Sequence, residues 1–134
     1  MLFKSKLEHT DPDVRRQYVE EMAADDSQLL QVAQSDPHPE VRASAVTRII
    51  DLQVVLQLSQ KDAEERIRNL ATARLQSLMS GSENPAPSLD TRLGFLDGAA
   101  DQRLIRFVAR SAREPELRKV AVNRLLAHQD QPLV

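Results

Sequence analysis

At 134 residues, with 41% hydrophobic and 28% charged residues, the chain is large enough for a continuous core and has ordinary globular usage. The absence of cysteine excludes disulfides and thiolate metal sites, and a net charge of -2 predicts no general attraction to nucleic acid or to an anionic membrane. No run approaches the roughly 20 apolar residues of a membrane span, and the opening Met1–Leu7 is too short an apolar stretch for a signal peptide, so the chain reads as cytoplasmic with no membrane partner. Aromatics are only 3%, Trp is absent and Gly occurs three times, so the core must be built from Leu, Ile, Val and Ala on helices.

One short pattern organises the chain. Its clearest copy is His38-Pro39-Glu40-Val41-Arg42, and it recurs at Asp11–Arg15, Glu64–Arg68 and Glu114–Arg118. Its aliphatic residue falls at 14, 41, 67 and 117, in steps of 27, 26 and 50, the last being two steps of 25. A fixed period in this range is the signature of a repeat array.

Residues 1–10 read as an arm or a partial first helix. Asp11 is a good N-cap and Pro12 falls at the first helical position, where its missing N–H costs nothing. Val14, Tyr18 and Met22 then form one helical stripe, Ala23–Asp26 makes a turn, and a second helix carries Leu29, Leu30, Val32 and Ala33. The next copy places Val41, Ala45 and Ile49 on the stripe, and Asp51 opens a helix with Val54, Val55 and Leu58 inward. The third gives Ile67, Ala71 and Leu75 on a helix from about 63 to 79. Its second helix is expected to be lost to a loop over 80–88, because Gly81, Asn84, Pro85 and Pro87 will not hold a helix.

Ser88 is the next N-cap, for a short helix to about Leu96. Leu93 lies 26 after Ile67, which puts Gly94 in place of the pattern Arg. A helix over 100–112 follows, and then one from about 115 to 128 with Leu117, Ala121 and Leu125 in stripe. Asp130–Val134 matches the opening of a further second helix, as at Asp26, Asp51 and Asp101. The expectation is a single all-α domain over 1–134 with its third and fourth repeats degenerate, cut from a longer protein.

Helix pairs with Asp-Pro-x-Val-Arg at the first N-terminus, and a small residue four positions after the Val, resemble the short HEAT-like repeats named after phycobilisome lyases. The likeness is carried by 11–24, 36–52 and 62–78. The opening also resembles the N-terminal region of a family of large bacterial proteins of no established function. The first resemblance implies a right-handed α-solenoid of about five repeats that binds another protein along a concave face lined by its second helices; the chain is further expected to be a monomer without cofactor.

Two sets of arginines are candidate sites. Arg15, Arg42, Arg68 and Arg118 share one repeat position, with Arg48, Arg74 and Arg124 six residues after it in three copies. A row of anion receptors is one reading; the favoured one is structural, each Arg pairing with an Asp such as Asp36, Asp51 or Asp62, or with helix-end carbonyls. Arg103, Arg106, Arg110 and Arg113 are spaced to share one face of a second helix, opposite Leu104, Ile105, Val108 and Ala112. Gln28 and Gln53 match Arg103 in earlier copies, so the expected partner-binding face is Gln-rich early and Arg-rich late. Charge follows: residues 89–134 hold eight Lys or Arg against six Asp or Glu, and residues 1–88 hold ten against fourteen.

His9, His38 and His128 are too scattered to hold a metal, and no nucleophile lies in a recognisable turn. The sequence therefore reads as a non-catalytic protein-binding scaffold, with phosphate-backbone binding through the Arg-rich helix as the alternative. Pigment-attachment chemistry is suggested only by the repeat's name and is set aside.

Overall fold

The computed structural model describes residues 6–129, with side chains through 127. The expectations for residues 1–5, for the side chain of His128 and for Asp130–Val134 lie outside the described residues. Among the described residues all regular structure is helical: a 3-10 turn Lys6–Glu8, then α1 (Pro12–Glu20), α2 (Ser27–Ser35), α3 (Pro39–Val46), α4 (Leu52–Lys61), α5 (Glu65–Ser80), α6 (Leu89–Gly98), α7 (Gln102–Ser111) and α8 (Pro115–Gln129). The chain divides into two compact units, residues 1–75 and 76–134, with the boundary inside α5. No helix among the described residues is long and apolar enough to cross a membrane.

The helix starts follow from side-chain caps. Asp11, Asp26, His38, Asp51, Ser88 and Asp101 each stand in an extended conformation and accept a first-turn backbone N–H. Proline at the head of α1 and α3 stands where no N–H is needed. The repeat period is thus a period of caps. Residues 81–88 are not helical, and α6 begins at the Ser88 cap, as the loop residues predict.

In the first unit α1 and α2 both pack on α3. Val41, Ala45 and Ile49 of the second copy are fully buried, as are Ile67 and Ala71 of the third. In α1 the stripe is rotated from the expected one: Val14 and Tyr18 are only half-buried, and the buried pair is Arg15 and Val19. The reason is what lies alongside. Val19 shares its stripe with Arg15, on the helix that packs against α3. Tyr18 has Lys6 of the 3-10 turn over its ring, with the ammonium 5.6 Å from the centroid. Val54 of α4 is likewise half-buried, while Leu52, Val55 and Leu58 are buried.

In the second unit α6 and α7 both pack on α8. Leu104, Ile105 and Val108 of α7, and Leu117 and Ala121 of α8, form the centre together with Leu78, Met79 and Leu96. Leu125 is half-buried.

Ala45 and Ala71 have no exposed surface, so a larger side chain has nowhere to go. Ala45→Leu is expected to destabilise the fold by about 1–3 kcal/mol through overpacking, read as a lower urea midpoint at unchanged m-value.

Candidate functional site

The pattern arginines donate to carboxylates and carbonyls within the chain, and their geometry repeats. The Arg15 Nε and Nη2 atoms donate to the Asp36 carboxylate at 2.9 and 3.1 Å, while Nη1 donates to the carbonyls of His9 and Thr10. The Arg42 Nε and Nη2 atoms donate to Asp62 at 3.1 and 3.2 Å, and Nη1 donates to the Asp36 carbonyl at 2.8 Å. Asp36 and Asp62 each also accept a backbone N–H two residues on, at 2.9 Å. One aspartate therefore ends a second helix, starts the next first helix and receives an arginine from the preceding one. The hydrogen bonds it donates to Asp36 hold the Arg15 guanidinium above its ordinary pKa. Arg68 and Arg118 make the carbonyl half of the pattern only, to Asp62 at 2.7 Å and to Ala112 at 2.7 Å.

The fourth copy corrects the sequence register. Counted from the Ser88 cap, the pattern position is Arg92, not Gly94. Arg92 is 4% exposed. Its Nε donates to the Pro87 carbonyl at 3.0 Å, Nη1 to Glu114 at 2.8 Å, and Nη2 to the second Glu114 oxygen. Glu114 thus takes the role of Asp36 and Asp62. Gly81 is required beside this pair: its φ is +81°, and a Cβ there would stand 2.8 Å from the Arg92 Nη1. Sequence spacing missed Arg92 because the aliphatic residue before it is replaced by Thr91; the cap-to-Arg distance would have found it.

Arg48, Arg74 and Arg124 are also committed. Each donates to a carbonyl at or beyond the C-terminal end of an earlier first helix: Arg48 to Met22, Arg74 to Ile49 at 3.0 Å, Arg124 to Leu96. Cations at these negative helix ends are favourable. The Nε of Arg48 is buried without a partner among the described residues.

The α7 arginines differ. Arg103, Arg106 and Arg110 are exposed, and Leu104, Ile105 and Val108 bury the opposite face. Arg106 touches only its own helix, with Nε 3.3 Å from the Gln102 carbonyl. Among the described residues Arg103 and Arg110 make no side-chain hydrogen bond or ion pair. Arg113 departs from the expected four-residue face. Its amide donates to Ser80 at 2.9 Å and its Nη1 to Gly81 at 3.4 Å, so it helps to close the loop after α5. With Arg113 turned to that loop, three arginines rather than four share the α7 face. In the first unit Gln28 and Gln53 are exposed on α2 and α4.

His38 and His9 use their Nδ1 atoms to accept the backbone N–H of Glu40 and of Asp11, at 3.1 and 3.0 Å. A cleft of about 500 Å³ beside α2 and α4 is lined by Gln34, Gln57, Lys61 and the Arg42–Asp62 pair, so its charged groups are largely neutralised by each other.

Two predictions separate the arginine classes. Arg92→Ala strands the Glu114 carboxylate. Because Glu114 keeps 29% of its surface in water, the expected cost is about 2–3 kcal/mol, below the ~3–5 of a fully buried pair. Arg103→Gln should stay within about 0.5 kcal/mol of the parent in the same urea titration. A further prediction concerns pH. The Arg92 hydrogen bonds hold Glu114 below the usual carboxylate range, against desolvation, which raises it. Its folded pKa is thus lower than its unfolded value of about 4.3. The pair stabilises above that value and is lost as pH falls through the lower folded one. The stability gap between the parent and Glu114→Gln should narrow as pH drops below about 4.

No protein-family model, curated protein or solved structure matches the chain.

Proposed function

We propose that the chain is a non-catalytic scaffold, a right-handed α-solenoid of short HEAT-like repeats that binds another protein on the face carried by its second helices. Arg103, Arg106 and Arg110 of α7 are the principal contacts, with Arg113 beside them and Gln28 and Gln53 at the matching positions of α2 and α4. One observation carries the reading. The pattern arginines and Arg48, Arg74 and Arg124 each donate to a carboxylate or to a carbonyl of another part of the chain, whereas Arg103, Arg106 and Arg110 are exposed and, among the described residues, hold nothing beyond their own helix. Exposed guanidiniums at helical spacing recognise carboxylates in a fork geometry, so the partner presents an acidic segment.

The same three cations favour one second reading, contact with a nucleic-acid phosphate backbone. The two separate by titration. Fluorescence anisotropy with a Glu/Asp-rich peptide, a single-stranded and a double-stranded oligonucleotide, at two salt concentrations, is run beside the Arg103→Gln, Arg106→Gln, Arg110→Gln triple variant. The expected result is peptide binding that the triple variant loses, with a folded circular-dichroism spectrum retained. Oligonucleotide binding that falls linearly in log salt and vanishes in the variant would put the phosphate backbone in first place. Binding of neither probe at low salt would remove both.

A further inference from the structure

Four positions on one face of α7 depart from what the chain places there elsewhere. Counted from the capping aspartates Asp26, Asp51 and Asp101, Arg103 matches Gln28 and Gln53, Arg106 matches Gln31 and Leu56, and Arg110 matches Ser35 and Gln60. Phe107 matches Val32, which is buried, and Gln57, which is polar and exposed. Phe107 itself is half-buried, with Arg103 and Arg110 at i−4 and i+3 beside it on the helix surface. Of the other described aromatics, Phe95 is buried and Tyr18 lies under Lys6. Among the described residues no cation stands over the Phe107 ring.

The side of α7 that carries Phe107 is turned back along the chain. Val32 lines a recess with Leu7 and Glu8, and Gln57 lines the cleft with Gln34 and Ser35 of α2, so in both copies this position meets the element before its own helix. Before the α6–α7 pair the chain has the loop over 81–88 in place of a second helix. Arg113, just past α7, donates to Ser80 and Gly81 where that loop begins.

Three exposed guanidiniums within about 10 Å along a helix attract carboxylates, but exposed ion pairs gain little and are screened by salt. A half-buried ring beside them adds apolar area that leaves water on contact, a gain that salt does not screen. We propose that the α7 face takes an acidic segment of a partner protein in which an aromatic or large aliphatic residue stands among the carboxylates. Arg103, Arg106 and Arg110 hold the carboxylates, and the apolar residue lies on Phe107. This rests on the reading of the α7 face as a docking surface for an acidic partner, and adds the residue that makes the contact selective. A single-stranded nucleic acid fits less well. Strands are held on successive stacking platforms, this face carries one ring, and a net charge of -2 draws no polyanion from a distance.

The test uses two labelled Glu/Asp-rich peptides of equal length and charge, one with a central Phe and one with Ala in its place. Each is titrated against the full chain by fluorescence anisotropy at two salt concentrations. The Phe peptide should bind roughly tenfold more tightly than the Ala peptide. That ratio should hold as salt rises, while both affinities fall. Phe107→Gln, which borrows the residue that α4 carries there, should bind both peptides alike with its helical circular-dichroism spectrum retained. Phe107→Leu should keep most of the ratio. The comparison of the two peptides on the parent chain is decisive even where Phe107→Gln fails to fold. The proposal is overturned if the Ala peptide binds the parent as tightly as the Phe peptide, or if folded Phe107→Gln keeps the ratio. When the Arg103→Gln, Arg106→Gln, Arg110→Gln triple variant still loses both peptides, that outcome removes the role of Phe107 and leaves the acidic-partner reading standing. Binding of neither peptide at low salt removes both. The proposal also falls if a single-stranded oligonucleotide binds the parent more tightly than the Phe peptide and is lost in Phe107→Gln, since a base would then own the ring.

Discussion

A guanidinium that is taken out of water loses hydration, and carboxylates and carbonyls of neighbouring segments must replace most of it. That requirement governs this chain more than any apolar contact. Arg15 and Arg92 are 7% and 4% exposed, and each has a carboxylate on one edge and carbonyls on the other. Burying such a pair gains little over an apolar alternative of the same volume, because desolvation opposes the Coulomb attraction. Removing one partner is far more costly than the pair is worth. The pair therefore acts as a register lock: a neighbouring helix cannot slide without stranding a charge.

The lock also explains why aspartates sit where they do. Asp36 and Asp62 each cap a backbone N–H and accept an arginine, so each joins three segments through one carboxylate. Where the chain loops out over 81–88, Glu114 supplies the carboxylate in place of an aspartate, and Gly81 leaves the room the guanidinium needs. Arg113 is drawn in to hold the carbonyl side of the same loop. The irregular stretch therefore retains the interaction while losing the helix.

Once the structural arginines are satisfied, the remaining ones become informative. A cation with no intramolecular partner costs little on a wet surface and is available to a ligand. Among the described residues Arg103 and Arg110 are of this kind and Arg106 reaches only its own helix, whereas Arg48 and Arg124, similar by sequence, cap carbonyl ends. The same reasoning applied to the aromatic residues singles out Phe107, half-buried where α2 carries the buried Val32. In both places the departure from an internally repeated pattern, rather than the residue type, carries the meaning.

Much of this was legible from the residues alone. Caps and helical spacing are local, so Asp11, His38, Ser88 and Asp101 announced helix starts, and the Gly, Asn and Pro residues after Ser80 announced the break. The buried stripes of α3 and α5 followed from periodicity, because a neighbouring helix lies on the face that the pattern marks. Tertiary contacts decided the rest. Tyr18 could not be placed without knowing what lay beside α1, and Arg92 was hidden because its partner is 22 residues away in sequence and its flanking aliphatic is missing. Arg113 shares the spacing of the free arginines and differs only in facing the Ser80–Gly81 turn. Spacing specifies which side of its own helix a side chain occupies; what meets that side is set by where distant segments pack, and only the folded chain settles it.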